Sequence, residues 1–277
     1  GDSGDFQTMS ESKVRIVVNG ALGRMGTAIF EAAGFFPEIE IVGAVDAAEK
    51  LAGRSNLAVR GTEVPAAARL ADLPSVEGSV VVDFSTPDVT RELMQEAVAR
   101  RAKLVVGTTG LSGEDLVLLH DASRSTAVLV SSNMSFGVQV LLSVVEQLAR
   151  RLSGFDIEIV EMHHRRKKDA PSGTALALAE AAAQARGCEL AAVARHGRRG
   201  IVGERTPEEI GVHAVRGGDI VGEHTVIFAG EGEHIEVRHS AHSRMTFAMG
   251  ALRAAIFLAG KPNGYFTMRD VVEQAAV

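Results

Sequence analysis

The sequence predicts an α/β protein in which a doubly wound parallel sheet precedes a second α+β domain with a mixed or antiparallel sheet. Up to about residue 134, short β-branched runs alternate with helical patterns. Glycine-punctuated strand patterns dominate after that point, and two helical patterns close the chain. Alternation of strands and helices is typical of a parallel sheet, whereas consecutive strands joined by tight turns are typical of antiparallel pairing.

The first strand pattern, Val14 to Val18, is followed by glycines at positions 20, 23 and 26 and by a helical pattern. In a Rossmann-like domain such glycines permit a tight turn, a close approach of the backbone to a pyrophosphate, and close packing of the helix on the strand. The spacing GxxGxxG is a variant of the commoner GxGxxG. We predict a dinucleotide site here, with Arg24 helping to neutralise the pyrophosphate; the alternative is a glycine turn that serves packing only.

The second strand pattern, residues 39–45, ends at Asp46. A carboxylate at this place would accept hydrogen bonds from ribose hydroxyls and would repel a 2'-phosphate. NADH is therefore the expected cofactor, and NADPH stays possible because Lys50 and Arg54 are close in sequence.

Further strand patterns at residues 79–85, 103–109 and 126–133 are separated by helical patterns at 89–100 and 113–124. Two of these strands end in polar segments, Gly107-Thr108-Thr109 and Ser131-Ser132-Asn133-Met134. Because the carboxyl ends of parallel strands border the cofactor crevice of such sheets, both segments are candidates for cofactor contact. The alternative is that they are ordinary connections between strand and helix.

The second domain begins with a helical pattern at 138–151 and a strand pattern at 155–162. The run EMHHRRKKDAPSGT, residues 161–174, then joins imidazoles and cations to the start of a helical pattern that ends near Gly187. Unpaired N–H groups at Ser172, Gly173 and Thr174 would bind a carboxylate. A solvated basic loop with a capped helix behind it is the alternative.

Segments 211–216, 222–230 and 234–241 are predicted as antiparallel strands joined by tight turns. The closing helices, 245–260 and 268–274, have no predicted strand to accompany them, and we expect them to return to the first domain. The expected division is 13–134 with 245–277 for dinucleotide binding and 135–244 for substrate binding and oligomerisation. Residues 1–12 are expected to be a tag remnant or a disordered tail, with Met9 as the natural start.

The composition excludes several classes of protein. With 46% hydrophobic and 23% charged residues the chain is expected to fold, and a net charge of -6 disfavours nucleic acid and anionic lipid as partners. No apolar run has membrane-spanning length, no signal peptide is recognised, and the single cysteine, Cys188, cannot form an internal disulfide. A cytoplasmic protein is the expectation.

Rival interpretations remain open. One is another two-domain oxidoreductase, which would lack the basic run. A metal-dependent hydrolase would use His163, His164 and either His224 or His234, but adjacent histidines on one strand point apart, so no metal site is predicted. A sensor that binds NADH without turnover would need only the glycine motif.

The motifs VNGALGRMG, VVDFSTP, VVGTTG, SSNMSFGV, EMHHRRKKDAPSGTA, GERTPEEIG, VRGGDIVGEHTVIF and SRMTFAMGA occur in this order from Lys13 onward. Together they resemble the 4-hydroxy-tetrahydrodipicolinate reductase family, also called dihydrodipicolinate reductases, of bacterial lysine and diaminopimelate synthesis. The resemblance implies NAD(P)H-dependent reduction of a cyclic imine with two carboxylates, a Rossmann domain completed by the C-terminal helices, and a homotetramer assembled through the second sheets.

The resemblance also implies roles for individual residues. It implies His163 as proton donor or acceptor and Lys167 as a second proton donor. Substrate contacts are implied at His164, Gly173, Thr174 and Arg244, and cofactor contacts at Gly20, Ala21, Leu22, Gly23, Arg24, Met25, Asp46, Gly107, Thr108, Thr109, Ser131, Ser132, Asn133 and Met134. Several members carry glutamate then arginine where this chain has Asp46 and Ala47, which leaves dual cofactor use open.

Overall fold

The computed structural model describes residues 12–275, so almost all of the expected tail, including Met9, lies outside the described residues. The chain divides into two compact units. The first unit extends to Met134 and resumes at Phe247, and the second comprises Ser135–Thr246.

The first unit contains an eight-stranded sheet with the order β13-β7-β6-β5-β1-β2-β4-β3. Its strands are β1 (Val14–Asn19), β2 (Ile39–Val45), β3 (Asn56–Val59), β4 (Thr62–Ala67), β5 (Val80–Asp83), β6 (Lys103–Val106), β7 (Ala127–Val130) and β13 (Gly264–Phe266). The helices of this part are α1 (Arg24–Ala32), α2 (Ala48–Leu51), α3 (Pro87–Ala99), α4 (Gly113–Ala122), α8 (Met245–Ala259), which starts in the second unit, and α9 (Met268–Ala275).

All strand pairs of this sheet except β3 with β4 are parallel. The carboxyl ends of β1, β2, β5, β6 and β7 therefore lie along one edge. The direction of winding reverses between the adjacent strands β1 and β5, which is the place where open α/β sheets bind ligands. The predicted doubly wound sheet is confirmed.

Three short strands of this sheet were not predicted. The hairpin of β3 and β4 turns at Arg60 and Gly61, whose φ angles are 52° and 82°, and Pro65 interrupts the β-forming pattern of the second strand. Strand β13 has only three residues and pairs with β7. The expectation that no strand accompanies the closing helices was wrong, because a three-residue strand is too short to show alternation.

The second unit contains a five-stranded mixed sheet with the order β12-β11-β8-β10-β9. Its elements are α5 (Phe136–Arg151), β8 (Asp156–His163), α6 (Gly173–Ala185), α7 (Leu190–Val193), β9 (Ala194–Arg195), β10 (Ile210–Arg216), β11 (Gly222–Gly230) and β12 (Glu233–Ala241). Helices α5 and α6 pack together on one face of the sheet, and their apolar side chains form a core with those of β8, β10 and β11.

Strands β11 and β12 are antiparallel neighbours as predicted, but β10 does not pair with β11. Strand β8 lies between β10 and β11, parallel to the former and antiparallel to the latter. The connection 217–221 crosses the end of β8, where the Gly217 N–H donates to the His163 carbonyl at 3.0 Å. Proximity in sequence suggested a hairpin, whereas the buried alternation of β8 gives that strand the central position.

Among the helices of residues 12–275, none is both long and apolar enough to cross a membrane.

Candidate active site

Strand β8 carries buried side chains at alternate positions, and the last of them is a carboxylate. Ile157 and Ile159 belong to the core, and Glu161 continues the row with 0% exposure. Because side chains alternate along a strand, His163 lies on the same face as Glu161. The register places His224 of β11 opposite Glu161, and Arg216 of β10 opposite His163. Three neighbouring strands thus bring their functional side chains together.

The Glu161 carboxylate accepts four hydrogen bonds. Arg216 donates two of them, at 2.8 Å to each oxygen, and the Ser172 N–H donates a third at 3.0 Å. The fourth partner is Nδ1 of His163 at 2.6 Å. Burial alone would raise the pKa of Glu161, but the hydrogen bonds from Arg216, His163 and Ser172 outweigh it and lower the pKa below its usual value.

The His163 ring is held on one side only. Its side chain retains 13% exposure, and within the described residues Nε2 has no hydrogen-bond partner. A Cβ on Gly222 would lie 3.0 Å from Nε2, so the glycine leaves the space that the ring occupies. This imidazole therefore keeps one nitrogen accessible for exchange of a proton.

His224 packs edge to face against His163, with 5.2 Å between the ring centroids. Its exposure is 4%, its Nε2 lies 2.9 Å from the Ser172 hydroxyl, and its buried Nδ1 has no hydrogen-bond partner among the described residues. Burial, and to a smaller extent the neighbouring His163, lowers the pKa of His224 to about 4. His224 is therefore neutral at pH near 7.

The loop between β8 and α6 carries the cations of the motif. Nζ of Lys167 donates to both oxygens of Asp169, at 2.9 and 2.8 Å. His164 is half-buried, and its buried Nδ1 has no hydrogen-bond partner within residues 12–275. Arg216 also donates to the Asp169 carbonyl at 2.7 Å, which ties the loop to β10.

Helix α6 begins where the loop ends. The Ser172 hydroxyl accepts from the Ala175 N–H at 3.1 Å and so caps the helix. Gly173 is exposed and Thr174 is half-buried in the first turn, where N–H groups have no carbonyl partner within the helix. Arg244 is exposed, and no hydrogen bond among the described residues joins it to this cluster.

In the first unit the three glycines of the turn differ in their surroundings. Gly20 has a φ of 78°, and a Cβ there would lie 2.5 Å from the Phe84 carbonyl oxygen. A Cβ on Gly26 would meet the Ala21 oxygen at 2.4 Å, so both positions are required for packing. At Gly23 a Cβ would meet only the Gly20 oxygen, at 3.1 Å, which leaves open space beside this residue. That space suits the close approach of a phosphate.

The remaining residues of the turn surround these glycines. Ala21 is buried, Leu22 and Met25 are half-buried, and Arg24 is the exposed first residue of α1. A cation at a helix N-terminus opposes the helix dipole, and a bound anion would relieve that cost. The residues thus fit the pyrophosphate of a dinucleotide.

Asp46 is 7% exposed and holds the glycine turn from the neighbouring strand end. Its oxygens accept hydrogen bonds from the Leu22 N–H and the Ala47 N–H, each at 2.8 Å. Nζ of Lys50 lies 3.0 Å from the same carboxylate. The acidic residue that the sequence singled out therefore lies beside the turn, paired with a cation.

Asp83, at the end of β5, forms a buried hydrogen-bond centre that the sequence did not reveal. It accepts from Asn19 at 2.7 Å, Ser85 at 2.6 Å, Thr90 at 2.6 Å and Thr108 at 3.1 Å. The carboxyl ends of β1, β5 and β6 are thereby joined to α3.

The two segments that were predicted to contact the cofactor, at the ends of β6 and β7, contain both buried and exposed side chains. The Thr108 side chain is buried in the Asp83 network, Thr109 is exposed, and a Cβ on Gly107 would lie 2.4 Å from the Phe84 ring. Ser131 donates to the Asn133 carbonyl at 2.8 Å. Ser132 is exposed and Met134 is 1% exposed.

Glu161, Arg216 and Asp83 were not predicted as site residues from the sequence, and His224 was considered only as a ligand of a metal site. A signal was present for the two acids, because each closes a row of buried β-branched residues, where an unpaired carboxylate would be costly. Arg216 and His224 gave no such signal. Among residues 12–275, no three side chains of His, Cys, Asp or Glu are grouped as a metal site.

Family models described as dihydrodipicolinate reductase, N-terminus and C-terminus, match residues 14–134 and 137–272. A 4-hydroxy-tetrahydrodipicolinate reductase of Desulfovibrio desulfuricans is 45% identical over 259 residues, 92% of this chain and 98% of the relative. One of Wolinella succinogenes is 55% identical over 194 residues, 70% of this chain and 76% of the relative.

Solved structures share the fold. A dipicolinate-bound dihydrodipicolinate reductase from Paenisporosarcina sp. TG-14 has a TM-score of 0.72 at 24% identity, covering 92% of this chain and 97% of that chain. A myo-inositol dehydrogenase from Corynebacterium glutamicum has a TM-score of 0.55 at 14% identity, covering 94% and 93%.

Proposed function

Because the chain belongs to the dihydrodipicolinate reductase family, we propose that it reduces 4-hydroxy-tetrahydrodipicolinate to tetrahydrodipicolinate with a reduced nicotinamide nucleotide, in the synthesis of diaminopimelate and lysine. The observation that carries the proposal is the cluster around Glu161. One imidazole with an accessible nitrogen lies beside a helix start and a loop rich in cations. A cyclic imine with two carboxylates needs both features, a proton donor and binding sites for two negative charges.

His163 is the proposed proton donor. Hydride addition leaves electron density on the ring, and an acid near neutral pKa can deliver a proton as that density develops. Lys167 is the proposed second donor, because its ammonium group lies in the same loop. Carboxylate binding is assigned to His164, Gly173, Thr174 and Arg244. Ser172 was also expected to bind a carboxylate, but its N–H donates to Glu161 and its hydroxyl caps α6, so it supports the helix start instead.

The first unit is the proposed dinucleotide domain. A bound nicotinamide nucleotide supplies the hydride. The open space beside Gly23 and the cation Arg24 at the start of α1 support pyrophosphate binding at Gly20–Met25. The segments Gly107–Thr109 and Ser131–Met134, at the ends of β6 and β7 on the same sheet edge, are the further proposed contacts.

NADH is the proposed preferred cofactor, with NADPH as a usable alternative. The Asp46 carboxylate would repel a 2'-phosphate, which favours NADH. Lys50 compensates that charge at 3.0 Å and is 56% exposed, which leaves a cation available to the phosphate of NADPH. Asp46 and Lys50 lie together after β2. The ratio of kcat/KM for NADPH to kcat/KM for NADH therefore measures how far Lys50 offsets the repulsion by Asp46.

The second unit is proposed to bind substrate and to assemble a homotetramer. Helices α5 and α6 cover one face of its sheet, whereas among the described residues of this unit no helix covers the face with Val160, Met162, Val215 and Ile227. Val215 is 43% exposed there. Apolar side chains on an open sheet face favour burial against a second copy. The proposed compartment is the cytoplasm, where a lone cysteine stays reduced.

Turnover of the purified full chain tests the proposal. The chain is mixed with NADH or NADPH and freshly generated 4-hydroxy-tetrahydrodipicolinate, and oxidation of the nucleotide is followed. We expect oxidation that requires both the protein and the cyclic imine. Nucleotide binding without turnover would instead favour a sensor.

A further inference from the structure

Glu161 is the most deeply buried charged side chain of the cluster, with 0% exposure. Each of its oxygens is engaged by donors from Arg216, and the remaining bonds go to His163 and the Ser172 N–H. A group covered in this way cannot touch a substrate. Any effect on the reaction must pass through one of its partners, and only His163 among them has an accessible titratable nitrogen.

We propose that Glu161 is a positioning residue that keeps a proton on Nδ1 of His163 and so presents Nε2 as the atom that exchanges a proton with the substrate. The proposal deepens the proposed function and rests on it, since it concerns the same imidazole. It adds a residue, an atom and a tautomer to that site.

The argument for the tautomer follows from what each group can donate. An ionised carboxylate only accepts hydrogen bonds, so a nitrogen 2.6 Å away must carry the proton. Three further donors, two from Arg216 and one from Ser172, stabilise the ionised form of Glu161. In a neutral imidazole the proton on Nδ1 leaves Nε2 as the free acceptor, and in the imidazolium Nε2 becomes the donor.

The groups around His163 all support this arrangement. Glu161 precedes it on β8, and Arg216 of β10 acts on it through Glu161. His224 of β11 is neutral near pH 7, so it adds no positive charge beside the ring. Lys167 in the following loop has Asp169 as its ion-pair partner. Glu161 is therefore the charged group in direct hydrogen-bond contact with the imidazole.

Arg216 neutralises the buried Glu161 carboxylate and fixes its orientation. A carboxylate that is fully buried beside one cation forms a neutral pair, and removal of either partner leaves a buried charge uncompensated. The bidentate contact also fixes the plane of the carboxylate, and with it the direction of the bond to Nδ1. Ser172 donates its N–H to Glu161 and caps α6 with its hydroxyl. Glu161 therefore links the His163 imidazole to the helix start that is proposed to bind substrate.

The first test uses the full chain without any substitution. Histidine is labelled with 15N, and the ring nitrogens of His163 are assigned by comparison with His163→Gln. Above the pH at which the ring loses its charge, we expect Nδ1 to carry the hydrogen and Nε2 to be unprotonated. A hydrogen on Nε2 in that neutral form would overturn the proposal. The 15N measurement does not depend on turnover, so it tests the tautomer of His163 independently of the proposed reaction.

The second test replaces the carboxylate by an amide. Glu161→Gln is expected to lower kcat by about 10- to 100-fold, a part of the rate that a positioned proton donor contributes. KM for the cyclic imine is expected to change by less than about threefold, and the pH profile of kcat is expected to change, because the imidazole loses its carboxylate partner. A variant with parental kcat and a parental pH profile would overturn the proposal even if the enzyme turns over normally.

Two further variants separate positioning from folding. Glu161→Gln combined with Arg216→Gln removes both charges, which is milder than leaving one buried and unpaired, and it is expected to fold and to keep the low kcat. Glu158→Gln is the matched control, because Glu158 lies on the other face of β8 and binds His213 at 2.6 Å together with two arginines. It should leave the His163 ring signals and the pH profile unchanged. Folded double variants with parental kcat would contradict the proposal.

Discussion

Nζ of Lys167 lies within 2.9 Å of both carboxylate oxygens of Asp169, and the two residues form an ion pair in the loop that follows β8. Asp169 is 64% exposed at its side chain and Lys167 is 19% exposed. The hydrogen bond from Lys167 lowers the pKa of Asp169, so Asp169 is ionised near neutral pH. A substrate carboxylate that binds Lys167 would therefore compete with Asp169 for the same ammonium group.

Asp169→Asn should strengthen substrate binding. Without the competing charge, KM for the cyclic imine is expected to fall by about 2- to 5-fold, the size of one exposed ion pair, and kcat should stay within about twofold. Steady-state kinetics at fixed NADH measures both constants. A higher KM together with a lower kcat would mean that Asp169 positions Lys167 instead.

Lys167→Ala should weaken binding and slow turnover together. The variant removes a cation beside a dianion and also the proposed second donor, so kcat/KM is expected to fall by at least about 100-fold. Arg166→Ala is a control from the same loop, since Arg166 is an exposed cation outside the proposed site. An unchanged kcat/KM in Lys167→Ala would remove Lys167 from the site.

His163→Gln should separate chemistry from nucleotide binding. Loss of the proton donor is expected to lower kcat by about 10²- to 10⁴-fold. Affinity for NADH, measured by titration calorimetry, should stay within about twofold, because the proposed nucleotide contacts all belong to the first unit. His234→Gln, an exposed histidine on β12, serves as the control. Lost NADH affinity in His163→Gln would contradict the proposed division of roles.

These residues also show how much of the fold and of the site could be predicted from the sequence. Strands β1, β2, β5, β6 and β7, the glycine turn, β8 and the start of α6 were all predicted, because each depends on a local pattern. The Glu161 cluster was not, because His224 and Arg216 reach Glu161 only through the order and register of β11, β8 and β10. A strand pairing that was wrongly predicted for β10 concealed Arg216. Asp83 was hidden for the same reason, since its four partners come from separate elements.

Gly23→Ala should affect the nucleotide more than the fold. Its backbone is extended, with φ of -79° and ψ of 170°, which alanine adopts readily. We expect the free energy of unfolding to change by less than about 1 kcal/mol, whereas KM for NADH should rise at least about tenfold, because a methyl group enters the proposed phosphate space. Gly113→Ala is the matched control, since a Cβ there meets nothing within 4 Å. Equal KM values in both variants would assign the Gly23 turn to packing alone.

Lys50→Ala should increase the preference for NADH. The substitution leaves Asp46 without its ion-pair partner at 3.0 Å and removes a cation available to a 2'-phosphate. The kcat/KM for NADPH is expected to fall about fivefold, which corresponds to about 1 kcal/mol for an exposed charge, and that for NADH should stay within about twofold. Equal losses with the two nucleotides would show that Lys50 supports the turn and not the choice of cofactor.

His224 should make the protein less stable in acid. Its pKa is about 4 in the folded chain and near the ordinary value of 6.5 when unfolded, so the unfolded chain binds more protons between these values. Stability from this group is therefore complete above the unfolded pKa and is lost as the pH falls towards the folded pKa. Between pH 7 and pH 5 the loss amounts to about 2 kcal/mol.

His224→Gln keeps a hydrogen-bonding group beside Ser172 but does not titrate. Urea unfolding at both pH values should therefore show a fall in stability that is smaller by about 2 kcal/mol in the variant, whereas Glu161 and His239 contribute equally to both proteins and cancel. Parallel pH curves for the two proteins would mean that His224 accepts a proton without cost, in conflict with its burial against His163.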